Sequence, residues 1–486
     1  MKKVLIAGCG IAGLTCGTYL LNKGYSVEIY DKNDYAGGFL TVSEKDGMII
    51  DTCLHWMTGT KEGTRLNKIW KTNGALDNAK IIDPVSFFDV TYEGKNLRFY
   101  RDIDLLSEEL HKYSDNDDKE IDRLIDTIKT IGIMETPSDI PYELGKPLDL
   151  NADVKVLMKT VYYINKSLEE LANRFNSEII KFALLNFPVN RKFSAYYFVM
   201  TLSNYINGNA SIPVGCSKGV RDRMVERFLS LGGKIHLNSN VSKIIIDNNV
   251  AKGLVVDGNE IYGDYIVSSL DVHYTFNKLL DNKYSSSPYD EMDKDPVKYP
   301  PYSYVVVSFK TKYDFKDSIS MTHKVDEYEF FGKKYNDISF RQYGYDKTLT
   351  NGDYKVVEVL MTTYLDEYNY LKNLSKDEYL KLIDDMSKFF KEKLEGIYHE
   401  EFIPIDFLSP IKLEAANNSY KGNFMCYVLT KKVPSYVRSF LVEGLSNFVL
   451  ANQWLVLPGG TPVAATNGKL ASQLVLYLDG QDYHID

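Results

Sequence analysis

The chain has 486 residues, 44% hydrophobic and 25% charged, which is typical of a folded protein with room for roughly two or three domains. Its 57 Lys and Arg residues and 66 Asp and Glu residues give a formal charge of −9, which argues against nucleic acid as the main partner. Five cysteines with no CxxC spacing argue against a disulfide framework or a thiolate zinc site and favour a reducing, cytoplasmic location.

The opening residues predict a strand, a glycine-rich turn, a helix and a second strand. The apolar residues 4–7 lead into the turn GCGIAG, a helix-like stretch follows to Asn22, and residues 26–30 form a second strand that stops at Asp31. In this context the spacing GxGxxG is the fingerprint of dinucleotide binding. Alone it would be weak evidence, since other glycine turns between a strand and a helix match it.

Each residue of this fingerprint has a physical role. Gly8 permits the tight turn, Gly10 lets a pyrophosphate approach the backbone, and Gly13 lets the helix pack closely on the strand. The helix N-terminus offers unpaired N–H groups and a positive dipole end to the phosphates. Asp31, eighteen residues after Gly13, lies close to the usual spacing of roughly 20 for the carboxylate that accepts from a ribose hydroxyl.

Two short segments after the fingerprint carry candidate site residues. The doublet Gly37-Gly38 predicts a second glycine turn. A short apolar strand then leads through Asp51 into a loop with His55 and Trp56. His55 is the candidate general acid or base, because the unperturbed pKa of histidine lies near neutrality. The alternative is that His55 only hydrogen-bonds a cofactor or the backbone.

The following region, residues 80–207, changes from strands to helices. Residues 80–100 alternate as strands with a hairpin turn, and the apolar spacing becomes helical from 104 to 187. The stretch 178–207 is rich in aromatic and large apolar residues and is interrupted by Pro188. It predicts either buried core helices or the wall of an apolar substrate tunnel.

The α/β pattern returns in the middle of the chain and again near residue 486. Residues 209–271 predict a glycine turn, a helix and several strands. Residues 302–435 predict strands and a helix that opens with a capping box at Ser375 and stops near Gly396. Residues 447–478 predict a strand, a Pro-Gly-Gly loop and a final helix.

This distribution predicts a discontinuous domain. The simplest arrangement is one dinucleotide-binding domain assembled from residues 1–80, 208–275 and 440–486. Residues 81–207 and 276–439 then form an inserted α+β substrate-binding domain. The predicted fold class is therefore α/β, with a Rossmann-like domain interrupted by a second domain.

Four separated blocks resemble the phytoene desaturase-like flavoproteins of the flavin amine oxidase superfamily, which include carotenoid desaturases, carotenoid isomerases and retinol saturases. The blocks are the fingerprint with Asp31 and the glycine doublet, IPVGCSKGV with residues 231–271, residues 407–425, and residues 450–475. They span nearly the whole chain and occur in the family's order. The resemblance implies a FAD-binding domain of the glutathione reductase type.

The resemblance also implies FAD as the cofactor, and the single fingerprint argues against a separate nicotinamide domain. The residues expected to bind FAD are Gly8, Gly10, Ile11, Ala12, Gly13, Asp31, Lys32, Gly37, Gly38, Phe39, His55, Trp56, Val241, Gln453, Gly459, Gly460, Thr461, Pro462 and Val463. There are three departures from the family pattern. Phe39 replaces a frequent arginine, Asn452-Gln453 replaces a Gly-Asp pair, and Cys216 replaces a glycine.

The function implied by the resemblance is hydride transfer between flavin N5 and an apolar long-chain substrate. The outcome would be desaturation, saturation or double-bond isomerisation of a carotenoid, a retinoid or an unsaturated lipid. One alternative is an amine oxidase, and another is a flavin-free prenyl-binding protein resembling the Rab GDP-dissociation inhibitors. No metal site and no membrane-spanning helix are expected, and no signal peptide is predicted, whereas peripheral membrane contact and the oligomeric state stay open.

Overall fold

The computed structural model describes residues 1–135, 139–145, 154–188, 190–432 and 437–485. Its strands, in chain order, are β1 (Lys3–Ala7), β2 (Ser26–Tyr30), β3 (Ser43–Lys45), β4 (Met48–Ile50), β5 (Met57–Thr58), β6 (Ile81–Ile82), β7 (Ser86–Tyr92), β8 (Lys95–Tyr100), β9 (Ala210–Pro213), β10 (Lys234–His236), β11 (Val241–Asp247), β12 (Val250–Val256), β13 (Asn259–Tyr262), β14 (Tyr265–Ser268), β15 (Ser303–Thr311), β16 (Ser320–Phe330), β17 (Lys333–Gln342), β18 (Lys355–Thr363), β19 (Ile403–Leu408) and β20 (Phe448–Leu450).

Its helices, in chain order, are α1 (Ile11–Asn22), α2 (Arg65–Thr72), α3 (Ile103–Lys112), α4 (Asp118–Ile131), α5 (Val154–Ile164), α6 (Leu168–Ala172), α7 (Glu178–Leu185), α8 (Ala195–Ile206), α9 (Cys216–Ser230), α10 (Val272–Tyr274), α11 (Tyr289–Asp293), α12 (Leu365–Asn373), α13 (Lys376–Tyr398), α14 (Pro410–Asn417) and α15 (Thr461–Leu478). Strands and helices are interleaved along the chain, so the fold is mixed α/β.

The fingerprint lies on a five-stranded parallel sheet with the order β10-β2-β1-β14-β20. Every residue from Val4 to Ala7 is fully buried, as expected for a parallel strand that is covered on both faces. Helices α1, α9 and α15 pack together beside the sheet, and the antiparallel sheet β11-β12-β13 packs through β12 onto β14. The strands of the parallel sheet come from all three chain segments that the sequence assigns to the dinucleotide-binding domain, whose boundaries stay a prediction.

A second, seven-stranded sheet has the order β19-β15-β18-β17-β16-β7-β8. Its pairs are antiparallel except for β16 with β7. The predicted hairpin in 80–100 is present as β7 and β8, whereas the long hairpin of β16 and β17 was not specified by the sequence pattern. Helix α13 packs on β19 and buries Met386, Phe390 and Leu394.

Helices α3 to α8 form a layer with a separate core of aliphatic and aromatic side chains. Phe87, Phe99, Phe187 and Phe198 are in ring contact there, and Pro188 lies between α7 and α8 as predicted. The predicted helical stretch 104–187 includes residues 136–138 and 146–153, which lie outside the described residues. This layer closes one side of the large cavity described below.

The helix predicted to open at Ser375 and to stop near Gly396 is confirmed. It is α13, which has the capping box at Ser375 and ends at Tyr398, two residues after Gly396. The residue that ends this helix is His399, which adopts a left-handed φ of 54° and donates its N–H to the Glu395 carbonyl. Leu394 is fully buried just before Gly396, so packing holds this last turn in the helix.

Candidate active site

A cavity of about 990 Å³ extends from the glycine turn after β1 to the inner face of the seven-stranded sheet. All the predicted FAD-binding residues except Gly13 line it. Residues from distant parts of the sequence, such as Gly10, Val241 and Gly460, therefore meet at one site. That each of them contacts FAD stays a prediction.

Gly13 lies behind the turn and has a packing role. A Cβ atom on Gly13 would lie 2.3 Å from the Gly8 carbonyl oxygen and 2.8 Å from Ser269 Oγ. Only glycine therefore lets α1 approach the turn this closely, which is the role that the fingerprint predicts.

The two residues that follow β2 are both held in fixed positions. Asp31 is buried, and its carboxylate accepts from the backbone N–H groups of Cys9 at 2.7 Å and Asn33 at 2.9 Å. Burial raises the pKa of Asp31 above its usual value, and these two donors oppose that shift. Lys32 lines the cavity, but its ammonium group donates to the Ala415 carbonyl and to Asn418 Oδ1, both at 2.8 Å.

The glycine doublet packs directly against the fingerprint turn. Gly37 N–H donates to the Cys9 carbonyl at 2.7 Å, and a Cβ on Gly38 would lie 3.1 Å from the Cα of Gly10. Both glycines of the doublet have positive φ, 109° and 59°. The result is a concave backbone cradle that side chains would fill, which is what a pyrophosphate needs for close approach.

The loop before α15 forms the opposite wall. Gly460 N–H donates to Gln453 Oε1 at 2.8 Å, and a Cβ on Gly459 would lie 2.6 Å from Cys426 Sγ. Helix α15 begins immediately afterwards at Thr461, and its first residues line the cavity. Its positive dipole end therefore faces the cavity.

Asn452 supplies an unused donor beside this loop. Its Oδ1 accepts from the Trp454 N–H, but its buried Nδ2 has no hydrogen-bond partner among the described residues. Asn452 lines the cavity, so a hydroxyl-bearing ligand would satisfy that nitrogen. The glycine cradle, the Asp31 carboxylate and this unpaired amide fit the pyrophosphate, ribose and ribityl groups of FAD.

Two of the three sequence departures have a structural explanation. Phe39 makes an edge contact with the ring of Phe424, so it replaces a cation by apolar packing. Cys216 has a φ of 44°, in the left-handed region, which explains why the family pattern expects glycine there.

A buried polar network lies where the loop after β4 meets the seven-stranded sheet. Arg341 of β17 donates from Nε to Glu358 Oε2 at 2.7 Å, and its Nη1 lies 2.6 Å from His55 Nδ1. The Asp51 carboxylate accepts from Ser217 N–H and Oγ, at 2.6 and 2.7 Å, and from two further backbone N–H groups. His55 and Arg341 both line the cavity, so this polar network forms part of the cavity wall.

Burial shifts the pKa values in this network in opposite directions. Burial, together with the neighbouring Arg341 charge, lowers the pKa of His55 to about 3. Burial raises the pKa of Glu358 to about 7, although Arg341 opposes that shift. His55 is therefore neutral at physiological pH.

A pH-dependent stability follows for His55. The folded pKa is about 3, whereas the unfolded value is about 6.5, so below pH 6.5 the unfolded state binds an additional proton. We expect the wild type to lose roughly 2 kcal/mol of unfolding free energy relative to His55→Gln between pH 6.5 and pH 5. Urea unfolding of both proteins at the two pH values measures this difference. Equal losses of unfolding free energy in the wild type and in His55→Gln would contradict this expectation.

The rest of the cavity is aromatic and largely apolar. Tyr196 and Tyr197 of α8 face it, as do Tyr302 just before β15, Tyr304 within β15, and Phe424. The interpretation of the stretch 178–207 as core helices is confirmed, because α7 and α8 bury residues in the helical core. Residues of α8 also line the cavity, and that this cavity binds an apolar substrate stays a prediction. At its far end the wall becomes polar, with Asp337, Ser339 and Tyr335 on β17.

Sequence analysis did not identify Arg341, Glu358 or the tyrosines as site residues. Two signals were present in the sequence. Glu358 is a single charge within the apolar run of β18, which is unusual unless a buried partner exists. Tyr302 and Tyr304 are two residues apart, so in a strand they share a face.

Within the described ranges, no group of three or more His, Cys, Asp or Glu residues could hold a metal ion. None of the helices that the structure describes is long and apolar enough to cross a membrane. The cysteines are buried and unpaired, and burial raises the pKa of the Cys53 thiol to about 12, so Cys53 is not a reactive thiolate.

Comparison with known proteins agrees with this site. The family described as flavin containing amine oxidoreductase matches residues 11–476. A prolycopene isomerase of an Oncidium hybrid cultivar is 23% identical over 296 residues, which are 57% of this chain and 49% of the isomerase. A 1-hydroxycarotenoid 3,4-desaturase of Flavobacterium sp. is 22% identical, with 58% and 59% covered. The chain thus spans about half the length of the curated relatives it matches.

Solved structures show the same fold. An oxidoreductase from Methanosarcina mazei aligns with a TM-score of 0.62 at 16% identity, over 98% of this chain and 100% of the other. Putrescine oxidase aligns with a TM-score of 0.57 at 13% identity, over 99% of both chains. The predicted superfamily and the predicted FAD are confirmed, and the flavin-free alternative is wrong. The chain belongs to the flavin-containing amine oxidoreductase family and is similar to carotenoid desaturases and isomerases.

Proposed function

We propose that this enzyme transfers a hydride between flavin N5 and a carbon atom of an apolar long-chain substrate. The reaction would be desaturation, saturation or double-bond isomerisation of a carotenoid, a retinoid or an unsaturated lipid. The observation that carries the proposal is the aromatic wall of Tyr196, Tyr197, Tyr302, Tyr304 and Phe424, which continues from the flavin end of the cavity. The apolar surface of this wall suits a long-chain substrate with few polar groups.

We further propose the domain roles that the sequence predicts. Residues 1–80, 208–275 and 440–486 form a Rossmann-like FAD-binding domain of the glutathione reductase type, and residues 81–207 and 276–439 form the substrate-binding domain. The parallel sheet takes strands from all three of the first segments, and the seven-stranded sheet takes strands from both of the others, which supports this division.

Within this proposal, the protein positions the reactants and excludes water. FAD, when bound, supplies the hydride chemistry. Asp31 and the glycine cradle hold the dinucleotide, and the N-terminus of α15 at Thr461 favours negative charge in the cavity. The aromatic walls keep the reacting carbon away from solvent.

The proposal is tested by mixing the purified, flavin-loaded protein anaerobically with a polyene, an unsaturated fatty acid and a panel of amines. Bleaching of the flavin spectrum by the polyene or fatty acid alone is the expected result. As a matched pair, Tyr304→Asp in the cavity wall should prevent bleaching, whereas Tyr370→Asp on the exposed face of α12 should not. Bleaching by amines alone, with peroxide released on aeration, would overturn the proposal and support an amine oxidase.

The amine oxidase alternative has less structural support. It calls for a lysine near the flavin and a cage of paired aromatic residues. Among the described residues that line the cavity, the lysine present is Lys32, and its ammonium group is held by Ala415 and Asn418. The aromatic residues are numerous enough for a cage, so the amine panel remains part of the test.

Peripheral membrane contact is a further part of the proposed function. Helix α5 exposes Val154, Leu157, Met158 and Val161, which are 68%, 51%, 72% and 44% exposed and share one helical face. Ile164, the last residue of this helix, lines the cavity. We propose that this apolar face lies on a lipid surface from which an apolar substrate enters.

Vesicle binding tests this contact. The double variant Leu157→Ser/Met158→Ser should bind zwitterionic phosphatidylcholine vesicles roughly tenfold or more weakly, since each buried apolar side chain contributes about 1.5–3 kcal/mol. The control is Leu380→Ser on α13, also exposed by 51%, which should bind like the wild type. Failure of the wild type to sediment with vesicles would contradict the contact.

A further inference from the structure

The Arg341 side chain approaches one particular nitrogen of the His55 ring. Arg341 Nη1 lies 2.6 Å from His55 Nδ1, and Arg341 Nε is held by Glu358 at 2.7 Å. A guanidinium group offers only donors and stays protonated in proteins. Nδ1 must therefore be the acceptor, so the proton of a neutral His55 ring is on Nε2.

A second contact of Nδ1 favours the opposite tautomer but is weaker. The Cys53 carbonyl oxygen lies 3.3 Å from His55 Nδ1, and an N–H at that position could donate to it. Such an N–H would also face an N–H of Arg341 across 2.6 Å, which is repulsive. The shorter, charged contact therefore decides where the proton is.

The other groups around the ring do not favour a charged imidazolium. Glu358, on β18, is bound to Arg341 and to Tyr343 Oη rather than to the ring. The Asp51 carboxylate is occupied by Ser217 and by backbone donors. Among the described residues, no carboxylate is hydrogen-bonded to His55, and the ring is in contact with Trp56 at 4.8 Å between centroids.

The other ring nitrogen of His55, Nε2, is left to face the cavity. His55 lines the cavity, and its Nε2 has no hydrogen-bond partner among the described residues. An N–H at Nε2 is free to donate to an acceptor, and the cavity is where that acceptor would be.

We propose that His55 is a neutral hydrogen-bond donor, through Nε2–H, to an oxygen or nitrogen acceptor of the bound group, and that Arg341 is the positioning residue that selects this tautomer. His55 then neither accepts nor releases a proton during turnover, because its lone pair is used and its N–H is the donor. The low pKa of His55 described above agrees with this role. Neutral imidazoles that polarise an acceptor in this way are an established catalytic device.

The first test observes the tautomer directly and needs no substrate. Two-bond ¹H–¹⁵N correlation spectra of the histidine-labelled protein, assigned with His55→Gln, should show His55 with a protonated Nε2 and an unprotonated Nδ1 throughout pH 5–8. His273 is an internal reference for the opposite case. Although burial disfavours its charge, hydrogen bonds to Asp271 and Asp293 raise the pKa of His273 to about 9. A doubly protonated or Nδ1–H His55 in this range would overturn the proposal.

The second test concerns Arg341. The double variant Arg341→Met/Glu358→Met removes the guanidinium and any side-chain donor at position 341 without leaving a carboxylate unpaired. If Arg341 selects the tautomer, His55 in the folded double variant should show mixed tautomers, and its pKa should rise because the neighbouring positive charge is gone. An unchanged His55 spectrum in that folded variant would show that Arg341 is not the positioning residue.

The third test separates a donor from a space-filling side chain. His55→Gln keeps an N–H donor, and His55→Leu removes it with little change in volume. The rate of flavin reduction, measured with the polyene or fatty acid that bleaches the wild type, should fall roughly 100-fold in His55→Leu and clearly less in His55→Gln. The shape of the pH profile of this rate should not change. Equal losses in both variants, or a titration step lost with the histidine, would overturn the donor role.

Discussion

Replacing Gly13 by valine should yield a protein that purifies without FAD. The new Cβ would lie 2.3 Å from the Gly8 carbonyl oxygen and 3.3 Å from Ile6 Cγ2, so α1 must move away from β1. Overpacking of this kind destabilises a core by about 1–3 kcal/mol and would displace the turn that carries Gly10. The ratio of flavin to protein absorbance and an FAD titration measure the result, with affinity expected to fall by about tenfold or more.

The matched control is Gly396→Val in α13. This glycine is also inside a helix, but a Cβ there meets no atom within 4 Å. Both substitutions place a β-branched residue in a helix, so the difference between the two variants in FAD retention and unfolding free energy reports the packing at Gly13 alone. Gly396→Val should retain FAD and change the unfolding free energy by no more than about 0.5 kcal/mol. Normal flavin content in Gly13→Val would contradict the packing role.

Replacing Arg341 by methionine should destabilise the protein severely. Glu358 has no exposed surface, so this substitution leaves a buried carboxylate without its cation. Loss of one partner of a buried pair costs about 3–5 kcal/mol. Urea unfolding measures the loss, and the control is Lys388→Met, whose partner Asp384 is exposed and whose removal should have no measurable effect.

The same variant has a predictable pH dependence. Arg341 opposes the raised pKa of Glu358, so its removal raises that pKa further above about 7, whereas the unfolded value is about 4.3. The folded state then holds a proton that the unfolded state releases, so stability falls as pH rises above 4.3. Arg341→Met should be closer to the wild type at pH 5 than at pH 8. The double variant Arg341→Met/Glu358→Met should recover much of the stability, and a loss equal to that of Arg341→Met would contradict the pairing.

The FAD end of the site could be predicted because its chemistry depends on backbone geometry, which glycine spacing reveals. Gly8 and the Gly37-Gly38 doublet have positive φ and close neighbours that leave little room for a Cβ, which explains why glycine is required at these spacings. The loop at Gly459 and Gly460 was recognised for the same reason. Local patterns of this kind are visible along one stretch of chain.

The end of the cavity around His55 and Arg341 could not be predicted, because its geometry depends on strand pairing between distant segments. Arg341 meets Glu358 only because β17 pairs with β18 in a register that places these two residues opposite each other. His55 comes from a loop that is 286 residues away from Arg341. His55 was predicted as a site residue because histidine titrates near neutrality. Its neutral form depends in part on Arg341, which no spacing in the sequence indicates.

The discontinuous parallel sheet has a consequence for how the protein is made. Strand β1 is completed on one side by β14 and β20, and α1 packs on α15, which begins at Thr461. During synthesis the ribosome releases the N-terminal strands long before these partners exist, so the nascent chain carries an unpaired sheet edge for most of its translation. We therefore expect flavin loading to be a late event that follows synthesis of α15.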